Sequence, residues 1–281
     1  MTRRLASLAE VADQYDAIVL DQWGVLHNGS VPYPDAPATL TALQAEGTRF
    51  AVLSNSGKRS APNAARIAAM GFPHALFAQV MTSGEALWQD IAAGRIAERR
   101  LFPIERAPGD AQVWADGLDV TLVADPAEAE AILLMGLPDG VDSSEFEGVL
   151  ATAMASGQPV ICTNPDRASP RADGQVVVSP GALAHAHADA GGTVRFYGKP
   201  HLPVFRALEL ALQAAPERLL MVGDSLEHDI AGGHKAGWST AFVEGGLHAR
   251  HFANDNPDNA LAALVTESAV PAPDFTLPRL Q

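Results

Sequence analysis

This sequence predicts an α/β fold built on parallel strands, with a second α/β region inserted into the first. Three observations carry the prediction. Uninterrupted apolar runs at 17–20, 50–53 and 219–222 each end in a polar turn, the pattern of strands buried on both faces of a parallel sheet. These runs alternate with longer helical segments closed by glycines such as Gly47, Gly71 and Gly237. Such alternation implies right-handed crossovers within one sheet. The rhythm breaks and later resumes, which divides the 281 residues into a main domain at 1–96 and 194–281 and an inserted domain at 97–193.

Taken in order, residues 1–16 are expected to form an amphipathic lead-in helix. Ala17-Ile-Val-Leu20 is the first buried strand and delivers Asp21 at its carboxyl end, where ligands of parallel sheets bind. A Pro-rich connector at 31–35 leads to a helix over 36–46, with Asp35 placed to cap it. The strand at 49–53 runs into Ser54-Asn-Ser-Gly57 and the pair Lys58-Arg59, and a helix follows over 62–70. A short strand at 79–81 meets a helix start at Thr82-Ser-Gly-Glu85, continuing to 96. Inside the insertion, strands are expected at 131–135, 159–162 and 175–178, and helices at 144–156 and 180–190. Beyond it come a strand at 194–197, the loop Gly198-Lys199-Pro200 and a helix over 203–214. The strand at 218–222 ends in Gly223-Asp224-Ser225, followed by a helix over 226–236 and a strand at 240–243. The Pro-rich tail from 269 onward is expected to lie extended.

Composition excludes several classes. Hydrophobic residues make up 47% of the chain, an ordinary globular value, and no apolar stretch is long enough to cross a bilayer. The N-terminus acquires Glu10 and Asp13 at once and lacks the apolar core of a signal peptide. A lone cysteine, Cys162, rules out an internal disulfide and suits a reducing interior. A net charge of −14 disfavours a nucleic-acid backbone as partner. A cytoplasmic protein without membrane or nucleic-acid partners is expected.

The strand ends and loops offer complementary polar groups. Asp21 is a candidate nucleophile or metal ligand, and Asp224 and Asp229 add carboxylates. Ser54 and Asn55 offer hydrogen-bond donors, and Lys199 a fixed positive charge. Converging carboxylates repel one another unless a cation binds between them, and an all-oxygen donor set suits Mg²⁺. A hydroxyl, an amide and a lysine around that ion make a cradle for a phosphoryl group.

The order of these motifs resembles the haloacid dehalogenase superfamily, in the class of N-acetylglucosamine phosphate phosphatase-like and 4-nitrophenyl phosphatase-like hydrolases with an α/β cap. Asp21 matches the nucleophile and Gly24-Val25 the turn after it; Ser54-Asn55 matches the second motif, Lys199 the third, and Gly223-Asp224 through Asp229 the fourth. Thr163-Asn164-Pro165-Asp166 is similar to the cap loop that faces substrate. The resemblance implies a Rossmann-like core and a Mg²⁺-dependent phosphatase that forms an aspartyl-phosphate on Asp21. It also implies metal binding by Asp21, the carbonyl of Trp23, Asp224 and Asp229, and phosphate binding by Ser54, Asn55 and Lys199. A small phosphorylated metabolite is the expected substrate, and a homodimer suits the class.

One position departs from the pattern. The resemblance leads one to expect a second aspartate, serving as acid and base, at position 23, where this chain has Trp23. An indole N–H serves in neither role, and losing that help costs on the order of 10²–10⁴-fold. His27, Asn28 and Asp166 are the candidates to replace it. Two other readings stay open: a phosphate-ligand binding or regulatory protein with little turnover, and a dehalogenase-type hydrolase, since dehalogenases also carry an aromatic residue there. Against the latter, Asp224 and Asp229 retain a metal-site pattern. His185 and His187 are too close in sequence to share a helical face as a zinc pair, and Trp88, Trp114 and Trp238 read as packing residues. Lys58-Arg59 reads first as a solvated charge pair.

Overall fold

The computed structural model describes residues 2–138, 140–170, 176–253 and 256–280. Its elements, in chain order, are β1 (Arg3–Arg4), β2 (Ala17–Leu20), α1 (Ala36–Ala45), β3 (Phe50–Ser54), α2 (Ser60–Ala69), β4 (Phe77–Thr82) and α3 (Ser83–Ala92). There follow β5 (Arg100–Ile104), α4 (Asp110–Trp114), β6 (Thr121–Leu122), β7 (Ala131–Leu134), α5 (Glu147–Ser156), β8 (Val160–Cys162), β9 (Ala168–Pro170) and β10 (Val176–Val178). The chain continues with α6 (Pro180–Asp189), β11 (Val194–Phe196), α7 (Leu202–Leu212), β12 (Leu219–Gly223), α8 (Ala231–Ala236), β13 (Ser239–Val243), α9 (Ala249–Phe252), α10 (Pro257–Ser268) and β14 (Phe275–Leu277). Two compact units result: Met1–Ser54, Ala64–Met81 and Phe205–Gln281 form the first, and Asn55–Asn63 with Thr82–Val204 the second.

The first unit carries a seven-stranded sheet in the order β1-β14-β13-β12-β2-β3-β4. From β2 the chain builds outward through β3 and β4 on one side, and later through β12, β13 and β14 on the other. β2 and β12 therefore flank the point where strand order reverses, pairing in parallel from Ala17 opposite Leu219 to Leu20 opposite Val222. All residues of both strands are buried, which is why they read as unbroken apolar runs. Around them pack Leu40 and Leu43 of α1, Ile67 of α2, and Leu5, Leu8 and Val11 of the lead-in.

The second unit has its own five-stranded sheet, ordered β11-β8-β7-β5-β6, with every pair parallel. Here the chain steps from β5 outward to β6 and then back across to β7, so the reversal lies between β5 and β7. Ile132, Leu134, Val160, Cys162, Leu183 and Ala184 belong to its core. A hairpin of β9 and β10 completes the unit.

Several elements differ from expectation. The lead-in is not a helix but two 3₁₀ turns, Leu8–Glu10 and Ala12–Gln14. Its buried residues Leu5, Leu8 and Val11 recur every third position, the 3₁₀ period, and Ser7 with Glu10 forms a reciprocal capping box. Asp35 precedes α1 without a side-chain cap bond. The helix expected over 226–236 opens with a π turn at Leu226–Ile230 before α8 begins. The extended tail contains β14, which enters the sheet between β13 and β1. Residue 175 of the strand expected at 175–178 lies outside the described residues. α10 and β9 had no counterpart in the sequence reading.

Candidate active site

Asp21 stands at the carboxyl end of β2, and its backbone N–H continues the sheet by donating to the carbonyl of Val222 at 2.9 Å. Asp224 follows β12 directly, so the two carboxylates leave neighbouring strands at the reversal point, where a crevice must open. Asp229 arrives from the π turn. That wide turn, bonded from the N–H groups of Asp229 and Ile230 to the carbonyl of Ser225, folds Asp229 back toward the strand end. One Asp229 oxygen accepts the Ser225 N–H at 3.1 Å, and the Ser225 hydroxyl in turn accepts the His228 N–H. One oxygen each of Asp21, Asp224 and Asp229 lies within 4.8 Å of the other two. Asp229 is fully buried, Asp224 nearly so, and Asp21 is half-buried.

Backbone close to Asp224 fixes where that carboxylate points. The Leu247 N–H donates to its Oδ2 at 2.7 Å. Gly24 has φ +85°, and a side chain there would collide with the same oxygen; Gly246 presses on it from another side. The donor set of three hard carboxylates fits a divalent cation such as Mg²⁺, and their enforced proximity gives that ion a reason to bind. Among the described residues this is the one group of three or more such side chains placed to hold a metal. Asp21, Asp224 and Asp229 are thus brought together as expected from the strand ends, whereas the backbone clamp from Leu247 was missed. The paired glycines Gly245-Gly246 after a strand are the signal that marks it.

The loop between β2 and α1 holds Trp23 half-buried, with its indole nitrogen beside Gly29. Of the candidates to replace a second aspartate, Asn28 is engaged in a turn, its side-chain oxygen accepting the N–H groups of Ser30 and Val31. His27 is buried, and its Nδ1 accepts the Gly29 N–H at 3.0 Å, which leaves the ring proton on Nε2. Burial first, and the nearby Arg66 charge second, lower its pKa to about 4, partly offset by Asp21. His27 is therefore a neutral imidazole. Its Nε2 and the amide nitrogen of Gln22 are both buried without a hydrogen-bond partner among the described residues.

Ser54 closes β3, the neighbour of β2 on the other side. Asn55 and Lys199 belong to the second unit, and both are buried there. The Asn55 amide ties three segments: its oxygen accepts the Lys199 N–H at 2.6 Å, and its nitrogen donates to the Lys199 carbonyl and to Asp166 Oδ1 at 2.7 Å. Asp166 is shaped in turn by Asn164, whose side-chain oxygen accepts the Asp166 N–H. Thr163 is fully buried, its N–H bonded to the carbonyl of Leu134 at the end of β7. Asn55, Lys199, Asp166 and Asn164 are thus one hydrogen-bonded cluster within that unit.

Trp114 is buried and donates to the Gly84 carbonyl, and Trp238 packs edge-on to Phe205. His185 stacks on Phe196, which stacks on His201. Arg59 pairs with Glu85 and lies over the Trp88 ring, while the exposed Lys58 pairs with Asp110 at 3.3 Å. The two adjacent cations therefore have different tasks. Burial pushes the Cys162 thiol up to about 12, which makes it an inert core group.

Comparison with known proteins agrees with this geometry. A haloacid dehalogenase-like hydrolase profile matches residues 18–113, and a second HAD-hydrolase-like profile matches 196–268. Chronophin from Mus musculus is 30% identical over 252 residues, covering 87% of this chain and 86% of that protein. A dihydroxyacetone phosphatase from Corynebacterium glutamicum is 27% identical, over 81% of this chain and 80% of its own. A crystal structure of a haloacid dehalogenase-like hydrolase from Brucella suis superposes with a TM-score of 0.80 at 28% identity, over the full length of both chains. The two matched segments flank residues 114–195 and contain the strands that end in Asp21 and Asp224, so chain order, fold and relatives converge: the chain belongs to the haloacid dehalogenase-like hydrolases.

Proposed function

We propose that this protein is a Mg²⁺-dependent phosphatase of a small phosphorylated metabolite, acting in the cytoplasm, with the second unit as its cap. The observation that carries the reading is the gathering of Asp21, Asp224 and Asp229 at the reversal point of the first sheet. The phosphatase names of the relatives point the same way. The carbonyl of Trp23 and the three carboxylates would hold the cation, which when bound neutralises charge on the phosphoryl oxygens. Asp21 attacks phosphorus, the ester oxygen departs as an alkoxide or phenoxide that takes a proton from an acid or from water, and water then cleaves the aspartyl-phosphate to return the carboxylate and inorganic phosphate. Ser54, Asn55 and Lys199 orient the phosphoryl group, and the Lys199 charge offsets that of the carboxylates. Thr163, Asn164 and Asp166 form the loop that meets the rest of the substrate.

Trp23 favours a second reading, a phosphate-binding protein with slow turnover, because no acid stands at that position. One experiment separates the two: hydrolysis of 4-nitrophenyl phosphate beside a panel of alkyl phosphates, with and without Mg²⁺. A nitrophenolate leaves without a proton and an alkoxide does not. Metal-dependent hydrolysis of both is the expected result and means another group supplies the proton. Hydrolysis of the aryl ester alone means that acid catalysis is missing, and binding of phosphate without hydrolysis of either ester establishes the second reading.

A further inference from the structure

Within the first unit, the loop after β13 is placed by the segment that follows β14. The ladder between these strands runs past its end: the Glu244 N–H donates to the Leu277 carbonyl at 3.0 Å and the Gly245 N–H to the Pro278 carbonyl at 2.9 Å. Two residues further on, the same loop reaches Asp224 through the Leu247 N–H, and Gly246 lies against that carboxylate. Arg279 covers the loop. A Cβ on Gly245 would stand 2.6 Å from Arg279 Cγ and 2.7 Å from its Nε, so the arginine stem rests on bare glycine backbone. Glu244, the carboxylate of this loop, is engaged elsewhere, because Arg4 holds both of its oxygens at 2.6 and 2.7 Å. The exposed Arg279 guanidinium sits instead over the Tyr33 ring, with Cζ 5.8 Å from the centroid.

Tyr33 belongs to the other loop, the one after β2. Its N–H donates to the Leu26 carbonyl at 3.0 Å, and its half-buried ring packs on the core of the first unit. The phenol lies within electrostatic reach of Asp224: burial first, and that carboxylate second, raise its pKa, while Arg279 lowers it. The same loop carries Gly24, whose backbone faces Asp224 Oδ2. Asp224 is therefore met by two loops, and the contact between Arg279 and Tyr33 joins them.

We infer that Arg279 and Tyr33 are positioning residues for the acidic cluster: the arginine, seated on Gly245 and held by the Tyr33 ring, keeps the Leu247 N–H on the Asp224 carboxylate. A cation–π contact at an exposed site is worth a factor of about two to five, so this tether restrains one loop and does not hold the fold. A role of the Arg279 charge alone has a different signature. Removing a cation beside three carboxylates would tighten the binding of Mg²⁺, and Tyr33→Leu, which leaves the charge in place, would change nothing. The metal readout below rests on the Mg²⁺ reading of the cluster; the exchange readout does not.

The test reads the clamp itself, by amide hydrogen exchange at Leu247 followed by NMR, beside the Mg²⁺ dissociation constant by calorimetry. Both are measured at about 0.15 M salt, where exposed charges are screened beyond about 8 Å. Tyr33→Leu and Arg279→Ala should each speed Leu247 exchange and weaken Mg²⁺ binding about two- to fivefold, with exchange in β12 unchanged. The double variant should do no worse than either single one, since each removes the same contact. Gly245→Ala, whose methyl displaces the arginine stem, should act like Arg279→Ala. Tyr33→Phe keeps the ring and Arg279→Lys keeps a cation, so both should retain most of the wild-type values. Leu247 exchange unchanged in Tyr33→Leu and Arg279→Ala, an acceleration shared by β12, or additive losses in the double variant overturns the inference. So does tighter Mg²⁺ binding in Arg279→Ala with no effect in Tyr33→Leu. If the wild type binds no Mg²⁺, the metal reading has failed by itself, and Leu247 exchange decides the tether on the same criteria.

Discussion

In the first unit the strands that flank the reversal, β2 and β12, end in Asp21 and Asp224; in the second, β5 and β7 run into the loops that carry Arg106 and Gly136. Both sheets reverse their strand order at that point, yet three carboxylates gather at one reversal, whereas Lys58, Arg106, Asp110 and an apolar wall line a cavity beside the other. Topology sets where a ligand site can be, and the side chains at the strand ends decide what it holds. The manner of construction differs too. The acidic cluster is clamped by backbone, with the Leu247 and Ser225 N–H groups and the closeness of Gly24 and Gly246 fixing Asp224 and Asp229. The cavity of the second unit depends on the long side chains of Lys58 and Arg106, and Lys58 is more than half exposed.

This contrast is best broken at the acidic site. Asp21→Asn should abolish phosphatase turnover, by at least 10³-fold, with the melting temperature preserved; retained turnover would remove Asp21 as nucleophile. A smaller loss is expected from Gly24→Ala, since the new Cβ needs the space of the Asp224 oxygen and a backbone angle that alanine disfavours. Stability should fall by roughly 1–3 kcal/mol, and the Mg²⁺ concentration for half-maximal activity should rise at least tenfold. An unchanged metal titration would show that the backbone clamp is not what holds Asp224. Smaller still, Asp166→Ala leaves the Asn55 amide bonded to both backbone groups of Lys199, so KM should rise several-fold while kcat changes less. An equal loss in both would place Asp166 in the chemistry, as a source of the missing proton.

The weakest effect concerns acid. Burial lowers the pKa of His187 in α6, whose Nε2 is buried without a partner. The unfolded chain therefore takes up a proton near pH 6.5 that the folded second unit refuses, and the stabilisation present above that pH is lost as pH falls toward the lowered value. His187→Leu should flatten the decline in denaturant midpoint between pH 7 and pH 5. An unaltered slope would mean that this histidine charges in place.

What was legible in the sequence is what is local. An apolar run followed by a polar turn marks β2, β3 and β12, and with them Asp21, Ser54 and Asp224, because a strand buried on both faces has no other composition available. The π turn was invisible, since one extra residue in a turn leaves the helical pattern of 226–236 nearly intact. β14 is three residues in a Pro-rich tail, made a strand by its partners β13 and β1 rather than by its own propensity. Arg106 had no motif to announce it. Its place beside the reversal of the second sheet comes from the order in which β5, β6 and β7 are laid beside one another, which is a property of the sheet and not of any window of sequence.

The pairing of β2 with β12 joins residues about 200 positions apart. On a ribosome, Asp21 emerges long before Asp224 and Asp229 exist, with the whole of the second unit synthesised between them. The sheet of that unit needs only residues 100–196 and can close while the first still lacks β12, β13 and β14. A nascent chain therefore displays Asp21 without the rest of the acidic cluster, which is complete only once β12 and the turn after it have emerged.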